Sequence, residues 1–138
     1  YTEYINGNKD GKYKKWHENG ALEYNGSYKN NLKNEKWIKY DDQGNLVSHI
    51  FYKNNQRHGK GTMKMDDGFS YSGDWNSGEM SGKGVATYAN GDKYEGYFLN
   101  GKREGEGVMI FQNGKIIDAI WKDGKEVKTA SGNTDINN

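Results

Sequence analysis

Tyr94-Glu-Gly96-Tyr-Phe98-Leu-Asn-Gly101-Lys-Arg-Glu-Gly105-Glu-Gly107 is the stretch that decides the fold. Tyr94, Gly96 and Phe98 alternate, which puts them on one face of a strand. Gly107, Met109 and Phe111 alternate in the same way. Between the two runs lies Asn100-Gly101, a dipeptide suited to a tight hairpin turn. Glycine alternating with large rings lets a neighbouring ring lie over bare backbone, so a single sheet can shield itself without a second layer.

The pattern recurs upstream. Tyr71, Gly73 and Trp75 share a face, and so do Gly84, Ala86 and Tyr88. Aromatic anchors stand at Tyr4, Tyr28, Tyr52, Trp75, Phe98 and Trp121, spaced 24, 24, 23, 23 and 23 residues apart. The glycines support the register independently. Three residues after each anchor comes Gly7, Asn31, Asn55, Gly78, Gly101 or Gly124, a first turn that needs positive φ. Sixteen after come Gly20, Gly44, Gly68, Gly91 and Gly114, the second turn. Further columns lie seven after, nine after and two before an anchor. The seven-after and nine-after columns read as close-packing strand sites, the two-before column as a ring-covered one. Together the five columns hold 19 of the 20 glycines, leaving Gly132 outside. Each unit therefore reads as two short strands and two tight turns, with roughly six residues per strand. No segment sustains a helical period.

Composition fits this reading. The chain has 138 residues, 20 glycines, and no proline or cysteine. An internal proline would delete a ladder hydrogen bond, so its absence suits a continuous sheet. The formal net charge of +1 gives no basic footprint for nucleic acid. Lacking cysteine, the chain has no disulfide and no thiolate metal site. No apolar run is long enough for a transmembrane helix. A soluble protein is expected, either cytoplasmic or exported after removal of an N-terminal segment.

These residues resemble MORN repeats. Tyr71-Ser-Gly-Asp-Trp75, Gly82-Lys-Gly84, Ala89-Asn-Gly-Asp-Lys93 and the stretch quoted above reproduce that family's pattern nearly throughout. The first two units depart from it. They carry Tyr13 or Trp37 in place of the nine-after glycine, with further rings at Trp16 and Tyr40. They are similar to a variant MORN class common in bacterial proteins. The resemblance implies an all-β fold: an elongated single-layer antiparallel sheet of five to six tandem hairpins, twisted and curled into an open groove. The repeat domain is expected over 1–127, with units starting near 4, 28, 52, 75, 98 and 121. A polar tail, loose or folded onto the sheet, is expected over 128–138. The extra residue of the 24-residue units suggests a β-bulge. A bulge between Tyr13 and Trp16, and between Trp37 and Tyr40, would bring both rings of each pair to one face.

Catalysis finds no support in the sequence. His17, His49 and His58 fall at unrelated positions in the repeat, and the carboxylates mostly sit at turns. No enzyme, metal or cofactor is expected. Two surfaces stand out instead. One is an aromatic row, Tyr71, Trp75, Tyr88, Tyr94, Phe98 and Phe111, a candidate groove for a partner peptide or helix. The other is a basic edge near the first turns: Lys9, Lys33, Arg57 and Arg103 five after the anchors, and Lys12, Lys36, Lys60 and Lys83 eight after. The favoured function is a non-enzymatic protein-interaction or scaffold module using the groove or the open sheet edges, with self-association through those edges as one route. The alternative is peripheral binding to anionic lipid along the basic edge. Third comes carbohydrate or cell-wall binding through the rings.

Overall fold

In the computed structural model, which describes residues 1–129, twelve strands form one sheet in strict sequence order. They are β1 (Thr2–Ile5), β2 (Asn8–Trp16), β3 (Leu22–Lys29), β4 (Leu32–Tyr40), β5 (Leu46–Lys53) and β6 (Gln56–Lys64). Then follow β7 (Ser70–Asn76), β8 (Glu79–Thr87), β9 (Lys93–Leu99), β10 (Lys102–Ile110), β11 (Ile116–Lys122) and β12 (Lys125–Thr129). Every neighbouring pair is antiparallel, and the sheet is open. The tandem-hairpin architecture expected from the sequence is thus the observed one. β12 runs through Thr129, and residues 130–138 of the expected tail lie outside the described residues.

Both turn columns take the predicted conformation. The first turn has two consecutive residues with positive φ in each unit, as in Asn100 (50°) and Gly101 (82°), the signature of a type I′ hairpin. These turns are also tied to one another. The amide of Asn31 donates to Lys9 O at 2.9 Å, Asn55 to Lys33 O, Gly78 to Arg57 O, Gly101 to Met80 O and Gly124 to Arg103 O. Hydrogen bonding therefore continues along one side of the sheet beyond the strands proper.

The seven-after column is a bulge, not the close-packing site read from sequence. Gly96 pairs with Gly107 and Phe98 with Arg103, so β10 carries two extra residues against β9. The same offset recurs between Gly73 and Trp75 and between Ile50 and Tyr52. Gly105 sits in this bulge at φ 82°, Gly82 at 96° and Gly59 at 73°. A carboxylate one before the anchor can cap it: Glu3 Oε1 accepts from the Lys12 amide at 2.7 Å, and Asp74 Oδ2 from the Lys83 amide at 3.3 Å. The Lys12 amide, with the Tyr1 hydroxyl, holds the Glu3 carboxyl below its ordinary range.

Glu35 occupies the same column without being glycine, at φ 62°. An L-residue in this region costs about 1 kcal/mol. Glu35→Gly is therefore expected to stabilise the chain by about that amount. Urea denaturation checks it, and an unchanged or lowered midpoint would refute the strain.

The bulge expected in the 24-residue units exists, but on the other strand. Lys15 pairs with Tyr24 and Trp16 with Leu22, so the extra residue is Glu23 on β3. Lys39 pairs with Ser48 and Tyr40 with Leu46, so the second extra residue is Val47 on β5. β2 and β4 keep their alternation there. Tyr13 packs against Tyr28 and Trp37, while Trp16 stays 48% exposed. The rings of each pair are not brought together, because the surplus residue is absorbed where the return strand leaves the turn.

Candidate functional site

The aromatic row lies on one face as expected, but it is the core of the sheet. Tyr71, Trp75, Tyr94 and Phe98 are buried, with Tyr94 fully inaccessible. They form a continuous edge-to-face chain: Trp75 to Tyr71 at 5.2 Å, Tyr71 to Phe98 at 5.2 Å, Phe98 to Tyr94 at 5.1 Å and Tyr94 to Trp121 at 5.6 Å. Such pairs contribute roughly 0.5–1.5 kcal/mol each beyond their burial. The polar atoms of the rings are also taken. The Tyr71 hydroxyl donates to Asp74 O and the Tyr94 hydroxyl to Tyr97 O. Trp75 Nε1 donates to Gly61 O, and Trp121 Nε1 to Gly107 O. Of the six candidate groove rings only Tyr88 and Phe111 are half-buried at the margin. A groove needs ring faces to offer, and four of these six rings have given theirs to one another.

The first two units reach the same end from the opposite strand. Trp37 is buried on β4 and lies against Gly26 of β3, where a side chain would overlap the indole. Its Nε1 donates to Ser27 O at 2.9 Å. Tyr28, Tyr24 and Tyr52 stand edge-on around it.

The expected basic edge divides between two faces. The five-after and eight-after positions differ by an odd number of residues, so alternation sends them to opposite sides. Lys9 lies over the Tyr28 ring, Lys33 over Trp37 and Tyr52, Arg57 over Trp75, and Arg103 over Trp121. This column extends the ring stack: each cation covers the anchor of the next unit. Lys12, Lys36, Lys60 and Lys83 are exposed on the other face. Lys60 meets Asp74 at 2.9 Å, an exposed ion pair worth well under about 1 kcal/mol.

Sequence reasoning missed what lies beside these lysines. Across the strand pairs, Lys36 faces Phe51 and Lys83 faces Tyr97. Phe51 is 42% exposed, Tyr97 47% and Leu99 50%. The signal was available, since Phe51 and Tyr97 each precede an anchor by one residue and so point away from the ring row. The candidate glycines Gly20, Gly44, Gly68, Gly91 and Gly114 all have positive φ at the second turn. Their placement is that of turn residues on the side opposite the stacked first turns. Among the described residues no three His, Asp or Glu side chains converge as a metal site would require, and no helix is long and apolar enough to cross a membrane.

Comparison with known families returns one match. A family model described as MORN repeat matches residues 51–69, 71–93 and 94–116. The two units upstream, read from sequence as variant units, fall outside the matched span. No curated protein gives a significant match.

Proposed function

Since residues 51–116 are an array of three MORN repeats, we propose that this chain is a non-enzymatic interaction module that docks a protein partner on the face opposite its ring row. MORN repeats serve commonly as protein- or membrane-binding modules. One observation carries the reading: on that face exposed rings sit beside exposed lysines, Phe51 across from Lys36 on β5 and β4 and Tyr97 across from Lys83 on β9 and β8, with Leu99 exposed next to Tyr97 and the Lys60–Asp74 ion pair between the two groups. Rings and aliphatic side chains supply contact area, and the lysines favour a partner with acidic groups. The ring row cannot take this role, because its faces are consumed in the core.

The exposed positions also separate binding from folding. Phe51→Ser with Tyr97→Ser removes two exposed rings and leaves the buried stack intact. We expect the double variant to keep the wild-type circular dichroism and melting curve. It should lose by at least about tenfold its affinity for a partner captured by the wild-type chain, as befits two central rings. A partner held equally well by the double variant would place the contact elsewhere. Trp75→Ala with Phe98→Ala is the wrong experiment, since each removes a buried ring at a cost of about 3–5 kcal/mol.

A further inference from the structure

Two arginines in the same repeat column are treated differently by the fold. Arg103 Nε donates to Gly124 O at 3.2 Å, its terminal nitrogens reach the same carbonyl and Tyr88 Oη, and its guanidinium covers Trp121. Arg103 is spent on structure. Arg57, two units earlier, also covers an indole, with Cζ 5.3 Å from the Trp75 ring. Yet its Nε is buried and has no hydrogen-bond partner. An unmet buried donor is destabilising, the more so on a charged group.

Lys33 lies beside it. Its ammonium sits 4.7 Å from the Trp37 ring and 5.1 Å from the Tyr52 ring. Neither Lys33 nor Arg57 meets a carboxylate among the described residues. Both line one open depression of about 400 Å³, between two neighbouring first turns. Tyr52, Asn55, Gln56, Ser77 and Gly78 complete the lining. Burial, and then the nearby charges of Arg57 and Lys39, push the Lys33 ammonium below its ordinary range. A bound anion would offset the repulsion between the two cations, reached through the outer guanidinium nitrogens of Arg57 and the Lys33 ammonium.

We propose that Lys33 and Arg57, with Asn55, Gln56 and Ser77 around them, form a binding site for a phosphoryl group. The donors come from β4, β6 and two successive turns, so they approach from several directions. That suits a tetrahedral oxyanion with several free oxygens better than a planar carboxylate. The depression is larger than inorganic phosphate alone, which leaves room for the substituent of a phosphomonoester. This site is separate from the exposed face proposed above for a protein partner, and either can fail without the other.

The test is calorimetric titration of the whole chain at low ionic strength with inorganic phosphate and with glycerol phosphate. Vesicles containing phosphatidic acid serve as the lipid-borne arm. Saturable binding of the soluble probes is expected, with chloride unable to compete. Arg57→Gln should weaken it at least about tenfold, the loss of a charge-assisted hydrogen bond. Lys33→Met, which keeps the apolar stem over Tyr52, should do the same and stands in if Arg57→Gln fails to fold. Lys122→Gln, an exposed charge elsewhere, should change nothing. Vesicle binding lost in Arg57→Gln would add the lipid headgroup as a source of the same group. The proposal is overturned if the soluble probes do not bind saturably, whatever the vesicles do. It is overturned equally if Arg57→Gln binds as the wild type does, or if Lys122→Gln costs as much.

Discussion

Gly107→Ala is expected to destabilise the sheet strongly, although alanine in a strand normally gains about 0.5–1 kcal/mol over glycine. A Cβ at this position would overlap Oη and Cζ of Tyr94 and lie 2.5 Å from its Cε1. The ring cannot step aside. It is fully inaccessible, it is wedged edge-on between Phe98 and Trp121, and its hydroxyl is bonded to Tyr97 O at 3.0 Å. Overpacking costs typically 1–3 kcal/mol, and losing the hydroxyl's bond adds about 1 more. A total near 2–4 kcal/mol is a large share of the 5–15 kcal/mol typical of a domain. Gly84→Ala should behave alike, since its Cβ would meet Tyr71 in the same way. Gly114→Ala is the contrast: its φ is 91° but nothing lies within 4 Å of the added carbon, so only backbone strain of about 1 kcal/mol is paid. Chemical denaturation followed by tryptophan fluorescence orders the three. If Gly107→Ala unfolds at the same midpoint as Gly114→Ala, the ring-over-glycine account of this sheet is wrong.

That account explains what could be read from the sequence. Strand alternation and both turn columns are local properties, written in side-chain parity and in the need for positive φ. The bulge at Gly105 is not local in this sense. It adds two residues to one strand, and an even insertion leaves every later side chain on its original face. Parity alone therefore cannot reveal it. The single extra residue of the longer units does show, as a period of 24 instead of 23, but the count does not say which strand absorbs it. The structure assigns it to Glu23 and Val47 on the return strands.

The candidate surfaces were misjudged for a related reason. A column of lysines and arginines five after four of the anchors reads as a charged edge in one dimension. In the sheet each lies beside the next unit's anchor, where a cation over an indole or phenol ring is worth about 0.5–2 kcal/mol. Rings that looked available for a partner are covered by their own neighbours. The surface that the stack does not use is the alternate face, where Phe51, Tyr97 and Leu99 are exposed.

The buried hydroxyls make the sheet sensitive to alkali in a way that can be calculated in sign. Burial pushes both Tyr71 and Tyr94 up to about 12, from 10 in the unfolded chain. Each folded-state value lies above the unfolded one, so the folded state holds its proton longer. The stabilisation is fully present below pH 10 and is lost as pH rises from 10 towards 12. A two-unit shift corresponds to roughly 2–3 kcal/mol for each ring. The wild-type midpoint in urea should therefore fall steeply across that window. Tyr71→Phe with Tyr94→Phe gives up the bonds to Asp74 O and Tyr97 O, so at pH 7 it should be less stable by about 1–3 kcal/mol in all. It keeps the rings and has no hydroxyl at these two positions to ionise, so its midpoint should fall much less above pH 10. Every other group is common to both proteins and cancels in the difference. The two curves are expected to converge, and with shifts of this size to cross, before pH 12. Parallel curves from pH 9 to 12 would mean that these two phenols ionise no later in the folded sheet than in the unfolded chain, and that the ring stack is open to solvent where the structure closes it.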